Sequence, residues 1–254
     1  MKPINDLTTH VTCWSRNDDK RLYRLMCFMN CTESYRLSGK VCDKPEFLKL
    51  LLFVDADFSG DYDTARSTSG GLLVLAGPNT WFPLAWISKR QGATARSSTE
   101  AEMISLAFSL FQEALPIMDL WDLVLGRPME LIILEDNQAT IKIAMKGYSA
   151  KLRHVLRHHK VDLGSVKDVL DADAVTIEYV NTNFQAADVF TKGLQPEKWE
   201  NAMDLLGMKR NSDPKAKPEV QVAAALVTET RVSGKVWKPS GFCTDPAPAS
   251  EKPD

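Results

Sequence analysis

Apolar positions fall in dense short runs separated by polar and glycine-rich punctuation, and the run lengths predict an alternating α/β chain. LKLLLFVDADF reads as a strand by its apolar density, and GGLLVLAG and WFPLAWIS read as two more, with GPNT between them supplying hairpin chemistry. Three antiparallel strands therefore come first. SSTEAEMISLAFSLFQEALPIMDLWDLVL has the period and length of a long helix, with Pro116 placed to kink or divide it. ELIILEDNQ follows as a short buried strand and TIKIAMKGY as a helix. SAKLRHVLRHHKVDLGSVKDVL is helical with one polar face, AVTIEYV is the last strand, and FQAADVFTKGL is the closing helix, ended by Gly193. This order predicts an α/β fold with a five-stranded mixed sheet flanked by helices.

The two ends depart from that pattern. DDKRLYRLMCFMN predicts one short amphipathic helix capped by Asn17 or Asp18, joined by a glycine-containing link to the first strong strand. From residue 209 onward prolines recur with no sustained apolar period, which predicts a disordered tail. The expected division is 1–47 as a leading segment, 48–208 as the main domain and 209–254 as tail.

Composition narrows the function classes. At 254 residues and 44% hydrophobic the chain can bury one substantial core. Its net charge of -2 carries no global basic field, so any nucleic-acid surface has to be local. The five cysteines form an odd set without a CxxC pair, and Cys27 and Cys31 are spaced along one helix face, which predicts a reducing, intracellular compartment. A leader and an apolar run long enough for a bilayer are both missing from this reading, so no membrane is expected.

Candidate chemistry lies in four carboxylates at element ends. Asp55 closes the first strand, Asp136 follows LIILE, Glu102 sits in the first turn of the long helix, and Asp188 stands among small and apolar neighbours in QAADVF. Each has an ordinary alternative. Thr99-x-x-Glu102 and Ser97-x-x-Glu100 both fit a capping box, Asp136 could cap the next helix, Asp55 could share a turn with Asp57, and Asp188 could be a solvated helix position. Together they point elsewhere, because clustered carboxylates repel unless cations occupy the space between them. Oxygen ligands without histidine or thiolate favour Mg²⁺ or Mn²⁺, and paired ions about 4 Å apart suit phosphodiester hydrolysis. No small-molecule cofactor is called for.

A local basic patch accompanies the acids. Residues 137–161 contain no acid and carry Lys142, Lys146, Lys151, Arg153, Arg157 and Lys160 with three histidines, a composition suited to phosphate contacts that position a duplex without reading sequence. A solvated helix face is the alternative. His154 and His158 stand at i and i+4, but no acid lies near them in sequence to complete a metal site. Trp81, Trp86 and Trp121 read as core rather than as stacking platforms.

Across residues 50–208 the chain resembles the ribonuclease H domain of copia-type retrotransposon polyproteins. The likeness is carried by VDADFSGDYDTARSTSGG, WISKRQGATARSSTEAEM, ILEDNQATI and NFQAADVFTKGL, in that order. It implies a ribonuclease H-like fold and a D, E, D, D set of Asp55, Glu102, Asp136 and Asp188 holding two Mg²⁺ ions, with Mn²⁺ as a substitute. In that register Glu102 is the ligand and Glu100 the capping residue, while Asp57 is the weaker candidate for its slot. The implied substrate is an RNA–DNA hybrid, with Ser98, Thr99 and Gln138 near its 2′-hydroxyls. The first residues resemble the end of the reverse transcriptase that precedes such a domain; the polymerase's paired aspartates are absent, so no polymerisation is expected. The implied partner is the reverse transcriptase of a parent polyprotein, in cytoplasm, virus-like particle or nucleus. Two alternatives stay open: a non-catalytic hybrid-binding domain, and a DNA-acting nuclease of the same fold. Cellular ribonucleases H carry a loop histidine before the last aspartate, and residues 180–187 hold none here.

Overall fold

The computed structural model describes residues 2–61 and 64–210; of the expected tail, 209–254, the first two residues belong to a strand and the rest, with Cys243, lies outside the described residues. The elements in order are α1 (Lys2–Thr8), α2 (Arg16–Cys31), β1 (Tyr35–Leu37), β2 (Lys49–Asp57), β3 (Thr68–Gly77), β4 (Thr80–Arg90), α3 (Ser98–Ser109), a π-turn (Leu110–Ala114), α4 (Leu115–Leu125), β5 (Leu131–Glu135), α5 (Gln138–Lys146), α6 (Val155–His159), α7 (Leu163–Leu170), β6 (Val175–Tyr179), α8 (Asp188–Thr191), α9 (Pro196–Leu205) and β7 (Met208–Arg210).

The main sheet has the order β4-β3-β2-β5-β6. β2 to β4 are antiparallel, and β2, β5 and β6 are parallel. Strand alternation divides the core in two. Leu50, Leu52, Val54, Leu73, Leu75, Leu131 and Ile133 face α3, α5 and α7, whereas Leu51, Phe53, Leu72, Val74, Ile132 and Leu134 face the segment of Ala186, Ala187 and Phe190. A parallel pair brings both carboxyl ends to one edge, the place where open α/β sheets bind ligands. Phe53 of β2 pairs with Leu134 of β5, so Asp55 and Asp136 emerge side by side at that edge.

Two glycines explain how helices close over this edge. A Cβ on Gly70 would collide with Thr191 Cγ2 and lie 3.1 Å from the Ala187 carbonyl oxygen, while one on Gly71 would lie 2.8 Å from Ser109 Oγ. The Ser-Gly-Gly run of β3 thus admits α8 on one face and α3 on the other. Gly70→Ala is expected to lower stability by about 1–3 kcal/mol through overpacking, read as a lower midpoint in thermal unfolding.

Several local expectations change. Pro116 does not divide the long helix; the run Ser98–Leu125 is continuous, and the π-turn before Leu115 absorbs the amide that proline lacks. By length and apolarity this helix could cross a bilayer, yet half of its most apolar stretch is buried, as befits a core helix on a sheet. Ser15, not Asn17 or Asp18, caps α2, with Asp18 at the third position of its capping box. The expected single helix around residues 149–170 is two, because Lys160 turns left-handed at φ 60°. The closing helix shrinks to the four residues of α8, followed by the unforeseen α9. β1 pairs with β7, so the leading segment is tied to residues 208–210.

Candidate metal centre and nucleic-acid face

Local chemistry frees the acids from the capping roles that compete for them. At α3 the cap is Ser97, whose Oγ accepts from the Glu100 amide at 3.2 Å. Thr99 lies inside the helix, so Glu102 is not the partner of a Thr99 box. At α5 the cap is Asn137, whose Oδ1 accepts from Ala139 and Thr140 at 3.0 and 3.3 Å, leaving Asp136 outside the helix.

Asp55, Glu102 and Asp136 then converge, with one ligand oxygen from each lying within 4.8 Å of the others. Asp55 and Glu102 are buried and Asp136 half-buried. Ser105 Oγ donates to the Asp55 carbonyl oxygen at 2.7 Å, and this contact draws the first turns of α3 onto the end of β2. Gln185 Nε2 donates to the Val54 carbonyl at 2.8 Å, holding the approach to α8 against the same end. Asp188 joins through Lys192, whose Nζ lies 2.8 Å from both Asp55 Oδ1 and Asp188 Oδ1. Thr191 Oγ1 donates to Asp55 Oδ2, and Thr182 Oγ1 donates to Asp136 Oδ2 at 2.9 Å.

A fifth carboxylate enters that sequence reasoning passed over. Glu135 ends β5 fully buried, accepts from the Asn137 amide at 3.0 Å through Oε1, and leaves Oε2 without a partner among the described residues. Glu102 Oε2 is likewise buried and unpartnered. By alternation Glu135 falls on the α3 face with Leu131 and Ile133. Burial, then the charges of Glu135, Asp55 and Asp136, pushes the Glu102 carboxyl up to about 11. Burial raises Glu135 well above its usual range, and burial followed by the charge of Asp55 raises Asp188. Burial also raises Asp136, against the Thr182 hydrogen bond. Burial alone would lower Lys192, but the charges of Asp55 and Asp188 outweigh it and hold the ammonium above the ordinary lysine value. Orphaned buried oxygens in an all-oxygen donor set are what a hard divalent cation satisfies, so these residues fit such an ion.

Asp57 stays apart, paired with Lys2 Nζ at 3.1 Å. Glu100 caps and does more. Its Oε2 accepts from the Arg96 amide at 3.1 Å, and its Oε1 meets Nε2 of His154 at 3.0 Å and of His159 at 3.4 Å. The acid missing from the neighbourhood of the histidines is therefore supplied from 54 residues away. Burial lowers the pKa of His159, opposed by the Glu100 charge. The contact ties the α6 segment to the start of α3.

Of the basic residues, Lys142, Lys146, Lys151, Arg157 and Lys160 are exposed, and Arg153 stacks over Tyr148 at 5.6 Å while donating to its hydroxyl through Nε at 3.0 Å. Leu152 and Val155 are buried in the core beneath them, so the patch is mounted on a fixed base. Ser98 and Gln138 are exposed and Thr99 half-buried. Trp81 is core, as expected, and Trp121 is partly buried; Trp86 is 48% exposed on β4 and is not core.

A five-stranded mixed sheet in the order β4-β3-β2-β5-β6, with acids at the carboxyl ends of β2 and β5, is the ribonuclease H-like arrangement. Relatives place it further. The chain is 28% identical to the retrovirus-related Pol polyprotein from transposon RE1 of Arabidopsis thaliana over 82% of its own length and 13% of that protein. It is 28% identical to the corresponding polyprotein from transposon TNT 1-94 of Nicotiana tabacum over 63% of its own length and 11% of that protein. The chain thus spans about an eighth of the length of these curated relatives. Among solved structures, LC11-RNase H1, isolated from compost by a metagenomic approach, aligns over 56% of this chain and 92% of its own, with 16% identity and a TM-score of 0.40. No family model matches. The chain is thus similar, over most of its length, to a part of retrotransposon Pol polyproteins.

Proposed function

We propose that this domain is a divalent-metal-dependent endonuclease that hydrolyses the RNA strand of RNA–DNA hybrids. The observation that carries the reading is the convergence of Asp55, Glu102 and Asp136 within 4.8 Å beside buried carboxylate oxygens that lack partners. Asp55, Glu102 and Asp136 would hold the ion, Mg²⁺ or Mn²⁺, with Asp188 at the rim of the same pocket. When bound, the ion supplies Lewis-acid polarisation of the phosphodiester and neutralises its developing charge. Burial raises both Glu102 and Glu135, so a cation bound beside them would favour their carboxylate forms. The exposed residues Lys142, Lys146, Lys151, Arg153 and Arg157 would take phosphates along one strand, fixing the register of the duplex. Ser98, Thr99 and Gln138 lie at the starts of α3 and α5, on the elements that carry Glu102 and follow Asp136, where short polar groups would meet 2′-hydroxyls. In a parent polyprotein the reverse transcriptase would deliver the hybrid, and the leading segment would be the junction with it.

A panel of hybrid, duplex DNA and duplex RNA tests this. The purified chain is expected to cut only the RNA of the hybrid, to lose that activity in EDTA and to regain it on adding Mg²⁺ or Mn²⁺. Binding to the hybrid in EDTA without cleavage under either ion would replace the reading with a hybrid-binding domain that has lost turnover. Cleavage of duplex DNA would replace it with a DNA nuclease of the same fold.

A further inference from the structure

Two sides of the acidic pocket differ in how their oxygens are satisfied. On the α8 side both oxygens of Asp55 are engaged by protein groups: Oδ1 by Lys192 Nζ at 2.8 Å and Oδ2 by the Thr191 hydroxyl. Asp188 Oδ1 accepts from the same ammonium at 2.8 Å. On the α3 side Glu102 Oε2 and Glu135 Oε2 are buried and have no partner among the described residues. Positive charge is therefore already built into one half of the pocket and wanted in the other.

We infer that the Lys192 ammonium is a fixed cation in the Asp55–Asp188 half of the site, so that the pocket takes one divalent ion, held by Asp55, Glu102 and Asp136. The inference rests on the nuclease reading above for its functional meaning and revises the two ions that family resemblance implies. Its geometry is local. Lys192 stands four residues after Asp188, at the end of the short helix α8, so one turn of helix is enough to bring ammonium and carboxylate together. Gly70 lets that helix approach β3 closely enough for the ammonium to reach Asp55. A second divalent ion between Asp55 and Asp188 would meet both the repulsion of the ammonium and the loss of its two hydrogen bonds. A lysine also does what a second ion does for a phosphodiester: it places a positive charge and up to three N–H donors beside an oxygen that gains charge as the bond breaks. Lys192 is partly open to solvent, with 38% of its side chain exposed, and so can meet a phosphate at the rim.

The test is an ion count. Mn²⁺ is titrated into the full chain bound to a hybrid whose RNA strand is 2′-O-methylated and resists cleavage, with bound ion counted by calorimetry and electron paramagnetic resonance. One ion per chain is expected for the parent, two for Lys192→Met and one for Lys192→Arg. Two ions on the parent chain, or one on a folded Lys192→Met, would overturn the inference. Should Lys192→Met fail to fold by circular dichroism, the parent and Lys192→Arg counts decide, because a second ion on either excludes a fixed cation there. Failure of the nuclease reading is separable: expected counts without hybrid cleavage remove the activity and keep the cation, and cleavage with two ions on the parent does the reverse.

Discussion

Asp136→Asn is expected to lower cleavage of the hybrid by about 10³-fold, roughly 4 kcal/mol of transition-state stabilisation, with the fold intact. The exchange keeps side-chain shape, and the asparagine carbonyl can still accept from Thr182 Oγ1, which stands 2.9 Å from Asp136 Oδ2. What it removes is one full charge from the three ligand oxygens gathered within 4.8 Å. Asp57→Asn is the matched control. It too lies at a strand end, that of β2, but its carboxylate is paired with Lys2 at 3.1 Å and stands outside the cluster, so activity is expected to stay within about threefold of the parent. Steady-state cleavage of a labelled hybrid at saturating Mg²⁺, with thermal unfolding run in parallel, checks both. An Asp136→Asn chain keeping a tenth of parental activity would remove Asp136 from the ligand set.

How much of this was legible beforehand depends on the range over which residues interact. The strands of the main sheet are apolar runs whose identity is local, and all five were read in order from LKLLLFVDADF to AVTIEYV. The sheet faces follow from alternation within each run. Short elements were not legible: β1 and β7 are three residues each, and each exists because the other pairs with it. The candidate site shows the same division. Strand ends alone put Asp55 and Asp136 at edges of one sheet, whereas taken singly Glu102 and Asp136 had a cap, Asp55 a turn and Asp188 a solvated helix position as ordinary explanations, and it was the resemblance that set their register. Glu135 was hidden by its own neighbour, since a strand ending in two consecutive acids gives no sign that both are kept. The Glu100 contacts with His154 and His159 join residues more than 50 apart, beyond any periodicity. Lys192 was the readable omission, because Asp188 and Lys192 at i and i+4 form a pair that helix geometry alone predicts.

The same acids that would bind the ion strain the fold without it, which yields the second large effect. Burial and three neighbouring carboxylates raise Glu102 from its ordinary 4.5 to about 11. Between those values the folded chain holds a proton that the unfolded chain releases, so this group's contribution to stability is present at and below about pH 4.5 and declines as pH rises toward 11. Glu135, Asp136 and Asp188 are raised too, and act with the same sign. Glu102→Gln removes the proton dependence of a strongly raised acid and adds amide N–H donors that can reach the surrounding carboxylates. It is expected to abolish cleavage and yet raise stability by about 2 kcal/mol near pH 8, a gain of roughly 4–8 °C for a domain of this size. The gain should shrink as pH falls toward 4.5 and vanish below it, where the parent glutamate is protonated in both states. Mg²⁺ should raise the melting temperature of the parent chain most at high pH, since the proton displaced on binding is lost there at the least cost, and should leave the glutamine variant almost unmoved. Thermal unfolding of both chains at pH 5, 7 and 9, with and without Mg²⁺, reads all three trends at once. A glutamine variant that melts below its parent at pH 9 would mean that Glu102 serves the fold rather than the ion.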